Sequence, residues 1–164
     1  MNHDGFLLVT TFFLLLCAMQ VKHLMADYFL QNGYMLRKFL PDWGFALPLL
    51  CHALVHGAFT LVVVLVINPS FWWLSLVDVV AHFVMDRAKA GPKYLGRFKA
   101  LTAKQYISNK LALEDAEASG EKDVVSQCKK RMNGNTYFWW SLGLDQMVHH
   151  LTDLAIVYVL VIGS

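Results

Sequence analysis

Charge is scarce in this chain. Asp, Glu, Lys and Arg make up 16 % of its 164 residues, against about 25 % in soluble domains. Apolar residues reach 57 %, above the roughly 45–50 % of such domains. The shortage excludes a disordered chain and argues against a soluble globule. It points instead to a single domain whose solvent is largely lipid. Net charge is also small, at +2, which leaves no electrostatic footprint for nucleic acid. Cysteine is sparse: Cys17, Cys51 and Cys128 form neither a zinc-type spacing nor a disulfide framework. Cys17 and Cys51 lie in apolar stretches and read as small buried hydrophobes. Glutamate is missing from every long apolar stretch, which counts against a di-iron bundle, where Glu-x-x-His pairs are expected.

The apolar residues gather into four stretches, at about residues 6–30, 45–67, 71–86 and 137–162. Each approaches the roughly 20 residues that cross a bilayer as a helix, the third being short. No basic residue precedes the first stretch and no small-x-small site follows it, so a cleaved signal peptide is not expected. Asn68-Pro69-Ser70 breaks the chain between the second and third stretches. Trp43, Trp72, Trp73, Trp139 and Trp140 sit at stretch ends, where aromatic belts form.

Positive charge sets the orientation. Eleven Lys and Arg residues fall between Arg87 and Arg131, and Arg37 and Lys38 lie in the first connection. The second connection and both termini have none. The odd connections therefore face the cytoplasm and both termini lie outside. Between the third and fourth stretches, residues 90–133 read as a cytoplasmic helical insertion. One helix covers residues 99–118, with Ile107 and Leu111 on one face. Ser119-Gly120 breaks it, and Val124, Val125, Cys128 and Met132 mark a second amphipathic helix. The expected fold is an all-α, four-transmembrane-helix bundle, with a cytoplasmic amphipathic helical hairpin between helices three and four.

Within the apolar stretches, ionisable residues recur four apart: His23 and Asp27; His52 and His56; Asp78, His82 and Asp86; Asp145, His149 and Asp153. Such residues are costly in a membrane and are functional candidates by default. A spacing of four places both side chains on one helical face, a geometry that chelates metal in metalloprotease helices. With antiparallel spans and about 1.5 Å rise per residue, the pairs fall in overlapping layers of the cytoplasmic half. We therefore expect His23, Asp27, His52, His56, His82, Asp86, Asp145 and His149 to bind metal. Gln31, Lys89, Gln146 and His150 are expected around them. Lys22, beside His23 at the wrong angle, is expected to snorkel to the interface.

Mixed imidazole and carboxylate ligands without thiolate suit zinc, and also manganese or iron. So many ligands suit two ions sharing a carboxylate. Asp78 and Asp153, one turn further along ligand stripes, are candidates for the general base. Arg87, Lys89 or the basic loop would hold a phosphate.

The motif His23-Leu24-Met25-Ala26-Asp27-Tyr28-Phe29-Leu30-Gln31 resembles the opening of the domain-of-unknown-function 3307 membrane proteins. His52-x3-His56, His82-Phe83-x2-Asp86 and Asp145-Gln146-x2-His149 resemble its other motifs. The resemblance covers all four stretches and implies a bacterial or phage inner-membrane protein. A looser similarity is to membrane-bound metal-dependent hydrolases, with His and Asp on apolar helices.

The expected activity is metal-dependent hydrolysis of a phosphoester or lipid-linked substrate, approached from the cytoplasmic leaflet. A transporter of divalent cations or protons is the second class, but the outer half holds mostly Leu, Val, Phe and Ile. A metal-stabilised, non-catalytic subunit of a membrane assembly is the third. Membrane lipid is the expected surround, and four short spans suit self-association. A reporter fused at Ser119 is expected to read cytoplasmic; an external reading would overturn the topology.

Overall fold

The computed structural model describes residues 3–163, all helix and turn with no strand among them. Helix α1 runs His3–Leu24 and passes into a single π-helical turn, Met25–Phe29. The Leu30 N–H donates to the Met25 carbonyl at 3.0 Å to close that wider turn. The α-helix thus ends earlier than the apolar stretch suggests, and π turns of this kind collect at functional positions. A short 3-10 turn, Met35–Phe39, starts where Asn32 Oδ1 accepts the N–H groups of Tyr34 and Met35. A second, Trp43–Phe45, starts on Asp42, whose side chain accepts the Gly44 N–H. It leads into α2, Ala46–Ile67.

Asn68 and Pro69 make the expected break. Asn68 Oδ1 accepts the Ser70 N–H, opening the turn Pro69–Phe71. Helix α3 then runs Leu74–Ala90. Helix α4, Ala103–Ser119, opens on a capping box between Thr102 and Gln105 and stops at Gly120. Gly120 has φ 77°, a left-handed conformation that glycine adopts without a Cβ penalty. Helix α5 runs Lys122–Ile162 without interruption.

Three expectations are corrected here. The second amphipathic helix and the fourth apolar stretch are not separate elements but one 41-residue rod, about 60 Å long at 1.5 Å per residue. Nothing between Lys122 and Ile162 breaks it, because the chain there has no proline. Helix α4 does fold back on α5: Asn109 donates to the Cys128 carbonyl at 3.0 Å, and Lys129 pairs with Glu117 at 2.9 Å. However, its inward face carries Asn109 and Ala116, while Ile107 and Leu111 are exposed. Cys17 is likewise exposed and Cys51 half-buried; only Cys128 of the three is buried.

Among the described residues, three helices are long and apolar enough to cross a membrane: Gly5–Phe29, Trp43–Ile67 and the one within Lys122–Ile162. Helix α3 has 17 residues, about 25 Å, and a polar stripe that lowers its hydropathy. It nonetheless packs between α2 and the C-terminal part of α5.

The four helices are antiparallel, as their layers show. At one end, Leu15, Met19, Val64, Leu74, Ile156, Val157 and Leu160 form an apolar core. Moving away from it, numbers rise along α1 and α3 and fall along α2 and α5. The next layer holds Lys22, Thr60, Asp78 and Asp153, and the next the imidazoles of His23, His56, His82 and His149. Outside, large apolar side chains such as Phe13, Leu14, Leu47, Val62, Val80 and Leu151 are exposed. Polar groups inside and apolar groups outside suit a hydrocarbon surround, where burial of apolar surface no longer drives helix association.

Gly57, next to His56, lets α2 and α3 approach closely; a Cβ there would collide with the Val79 side chain and lie 3.2 Å from the Ser75 carbonyl. Gly57→Leu should therefore lower stability by about 1–3 kcal/mol, the range for overpacking, read as thermal unfolding of the detergent-solubilised protein by circular dichroism. An unchanged transition would show that the α2–α3 contact is loose.

Candidate metal centre

The eight residues expected to bind metal come together inside the bundle, over adjacent turns of its helices. The π turn brings Asp27 across the bundle toward three histidines. Its Oδ2 lies 3.1 Å from His23 Nε2, and its Oδ1 lies 3.3 Å from His52 Nε2 and 3.1 Å from His56 Nε2. Of these, the His56 contact has hydrogen-bonding geometry. Asp86 reaches between two helices, with Oδ2 3.1 Å from His52 Nε2 and Oδ1 3.9 Å from His149 Nε2. The rings themselves touch: His56 and His82 stack at 3.7 Å between centroids, and His82 and His149 at 4.1 Å. His23 lies within 5.2–5.6 Å of His56, His82 and His149.

Three groups of ligand atoms each fall within 4.8 Å of one another: His23, His56 and His82; Asp27, His52 and His56; and Asp86, Asp145 and His149. Many of the donors have no hydrogen-bond partner. Both ring nitrogens of His23, His52 and His149, His56 Nδ1, His82 Nε2 and Asp145 Oδ1 are buried and unpaired. Each such group costs about 1–3 kcal/mol. A cation bonded to several of them would offset that cost, so the donor set fits a metal.

The surrounding residues divide. Gln146 donates to Asp145 Oδ2 at 3.4 Å, and Lys89 Nζ lies 3.8 Å from the same oxygen. His150 is exposed, though its ring lies 5.4 Å from that of His23. Gln31 is half-buried just beyond the π turn. Arg87 faces away from the centre: it donates to the Leu40 carbonyl at 3.1 Å and stacks over the Phe45 ring.

Asp78 and Asp153 lie one layer below the centre, and there the expectation for Lys22 is overturned. Lys22 does not snorkel. It is buried, and its ammonium donates to Asp78 Oδ2 at 3.0 Å, Asp153 Oδ1 at 2.8 Å and Thr60 Oγ1 at 3.3 Å. Thr60 in turn donates to Asp78 Oδ2 at 2.6 Å. Two inward carboxylates outweigh the pull of the interface on one lysine. The sequence carried the signal, since Leu15, Met19, Lys22 and Ala26 form the buried face of this segment. Thr60 also had one, lying four residues past His56 on the His52 stripe. Lys38 had none. It arrives from the irregular first connection, where no periodicity aims a side chain, and meets Asp86 Oδ2 at 2.7 Å.

Fold and site together define an all-helical protein with membrane-type helices around a buried His/Asp core. The chain belongs to the family described as "Protein of unknown function (DUF3307)", whose model matches residues 11–164. No curated protein matches it, and no solved structure does.

Lys22→Met leaves Asp78 and Asp153 buried without their cation, which should cost about 3–5 kcal/mol. Thermal unfolding in detergent should show that loss, with Lys22→Met/Asp153→Asn regaining part of it. Equal stability of Lys22→Met and the parent would mean that the three groups do not form a pair network.

Proposed function

We propose that the chain is an integral protein of a bacterial inner membrane that holds divalent metal ions in its His/Asp centre and hydrolyses a phosphoester or lipid-linked phosphate there. In this reading α1, α2, α3 and the C-terminal part of α5 all cross the bilayer, both termini lie outside, and the centre is near the cytoplasmic face. Helix α4 and the N-terminal part of α5 then stand in the cytoplasm. The observation that carries the reading is the set of buried, unpaired imidazole and carboxylate atoms converging from four helices. Hydrogen bonding between membrane helices is worth only about 0.6 kcal/mol each, too little to explain so many unpaired donors.

His23, Asp27, His52, His56, His82, Asp86, Asp145 and His149 would hold the ions, zinc or otherwise manganese or iron. Such ions supply Lewis acidity and a water of lowered pKa. Asp27 is the most open carboxylate of the centre, its side chain 23 % exposed, and marks the approach for substrate. Lys38 and Lys89, on the same side, give an anionic group its countercharge. Asp78 and Asp153 remain general-base candidates by position, but the Lys22 ammonium already occupies an oxygen of each. Their geometry favours support of the histidine layer instead.

Transport is the less favoured reading, because Leu15, Val64, Leu74, Ile156 and Leu160 close the far end beyond Lys22. Protein purified from membranes should contain about two divalent ions per chain, the number a shared-carboxylate centre takes. His52→Ala should lose metal and hydrolysis of phospholipid or lipid-linked phosphate together. Metal flux into liposomes without any such hydrolysis would overturn the reading in favour of transport.

A further inference from the structure

Two of the centre's three groups of ligand atoms are chemically unlike, and the third, Asp27, His52 and His56, shares His56 with the first of them. His23, His56 and His82 form a group of imidazoles alone, while Asp86, Asp145 and His149 form a group dominated by carboxylates, and the two share no residue. In the first group two rings, His56 and His82, have an acceptor at one nitrogen and a buried, unpaired nitrogen at the other. His56 sets Nε2 against Asp27 Oδ1 at 3.1 Å and leaves Nδ1 unpaired. His82 sets Nδ1 3.0 Å from both the carbonyl and Oδ1 of Asp78, the carbonyl taking the hydrogen bond, and leaves Nε2 unpaired. His23 sets Nε2 3.1 Å from Asp27 Oδ2, outside hydrogen-bonding geometry, with Nδ1 unpaired. Acceptors behind the ring are how proteins fix the tautomer of a metal-bound histidine. Lys22, bonded to Asp78 and Asp153, balances the charge of this floor.

The second group differs in charge and access. Asp145 Oδ1 and both nitrogens of His149 are buried and unpaired. Lysines reach its carboxylates: Lys38 at 2.7 Å from Asp86 and Lys89 at 3.8 Å from Asp145. Those cations compete with any metal and weaken its hold.

Building on the metal reading above, we propose that the centre takes two different ions. The imidazole group, His23, His56 and His82, selects a late first-row ion of the zinc type and holds it tightly. The group of Asp86, Asp145 and His149 takes a harder ion of the manganese type, exchangeably. The chemistry follows ligand type: imidazole suits zinc, copper and nickel, and carboxylate suits manganese and magnesium.

The test uses the full-length protein in detergent, stripped with chelator, then given Zn(II), Mn(II) or both. Expected is a single equivalent of Zn(II) that survives desalting, and a single equivalent of Mn(II), seen by electron paramagnetic resonance, that does not. With both metals supplied, both should be bound at once. His23→Ala should weaken Zn(II) by more than about 100-fold, beyond the roughly 10–100-fold expected of a residue that only supports a ligand, and spare Mn(II). Asp145→Asn should do the reverse. The mixed loading of the unmutated protein decides the matter even if a variant fails to fold. One kind of ion filling both positions with equal affinity, or Mn(II) displaced mole for mole by Zn(II), would overturn the two-ion assignment while leaving the metal centre. Binding of neither ion would overturn both.

Discussion

A cluster of charged and imidazole side chains must be kept inside a bundle whose outer surface is apolar, and that constraint organises the molecule. Ionised groups cannot stay in hydrocarbon without partners, so every helix turns its His and Asp stripe toward the same axis. The stripes then fix the rotation of each helix, and their depth fixes its vertical register. Apolar packing alone would do neither well, because lipid solvates a leucine as readily as a neighbouring helix does. The polar centre is thus both the candidate site and the feature that specifies the bundle.

Charge is balanced locally, layer by layer. Lys22 answers Asp78 and Asp153, and Lys38 answers Asp86. The histidines between these layers have few partners, and the rings stack on one another instead. The links between α1, α2 and α3 reuse one device: an Asn or Asp side chain caps a 3-10 turn, at Asn32, Asp42 and Asn68. Those caps satisfy backbone donors within the links and leave the stripes undisturbed.

Much of this was legible in the sequence, for a physical reason. The four-residue spacing of His23/Asp27, His52/His56, His82/Asp86 and Asp145/His149 reports a helical face directly, and the uneven positive charge gave the antiparallel order that aligns them. Lys22 was misread because a basic residue near a span end usually reaches for water, and only the partners waiting on α3 and α5 decide otherwise. Lys38 was not readable at all, since it enters from a connection without period. The short α3 shows the limit of hydropathy: its stripe of Ser75, Asp78, His82, Asp86 and Lys89 makes it look less membrane-like while making it the most polar wall of the centre. The continuity of α5 was hidden for a similar reason, because composition changes sharply near Tyr137 while helix propensity does not.

That continuity has a mechanical consequence. Cys128, packed under α4, and Asp145, in the centre, lie on one unbroken helix, about 25 Å apart along its axis. A stiff rod does not absorb a tilt or twist along its length as a jointed pair would. A force applied to the α4–α5 arm is therefore delivered to Asp145 and His149 almost undiminished.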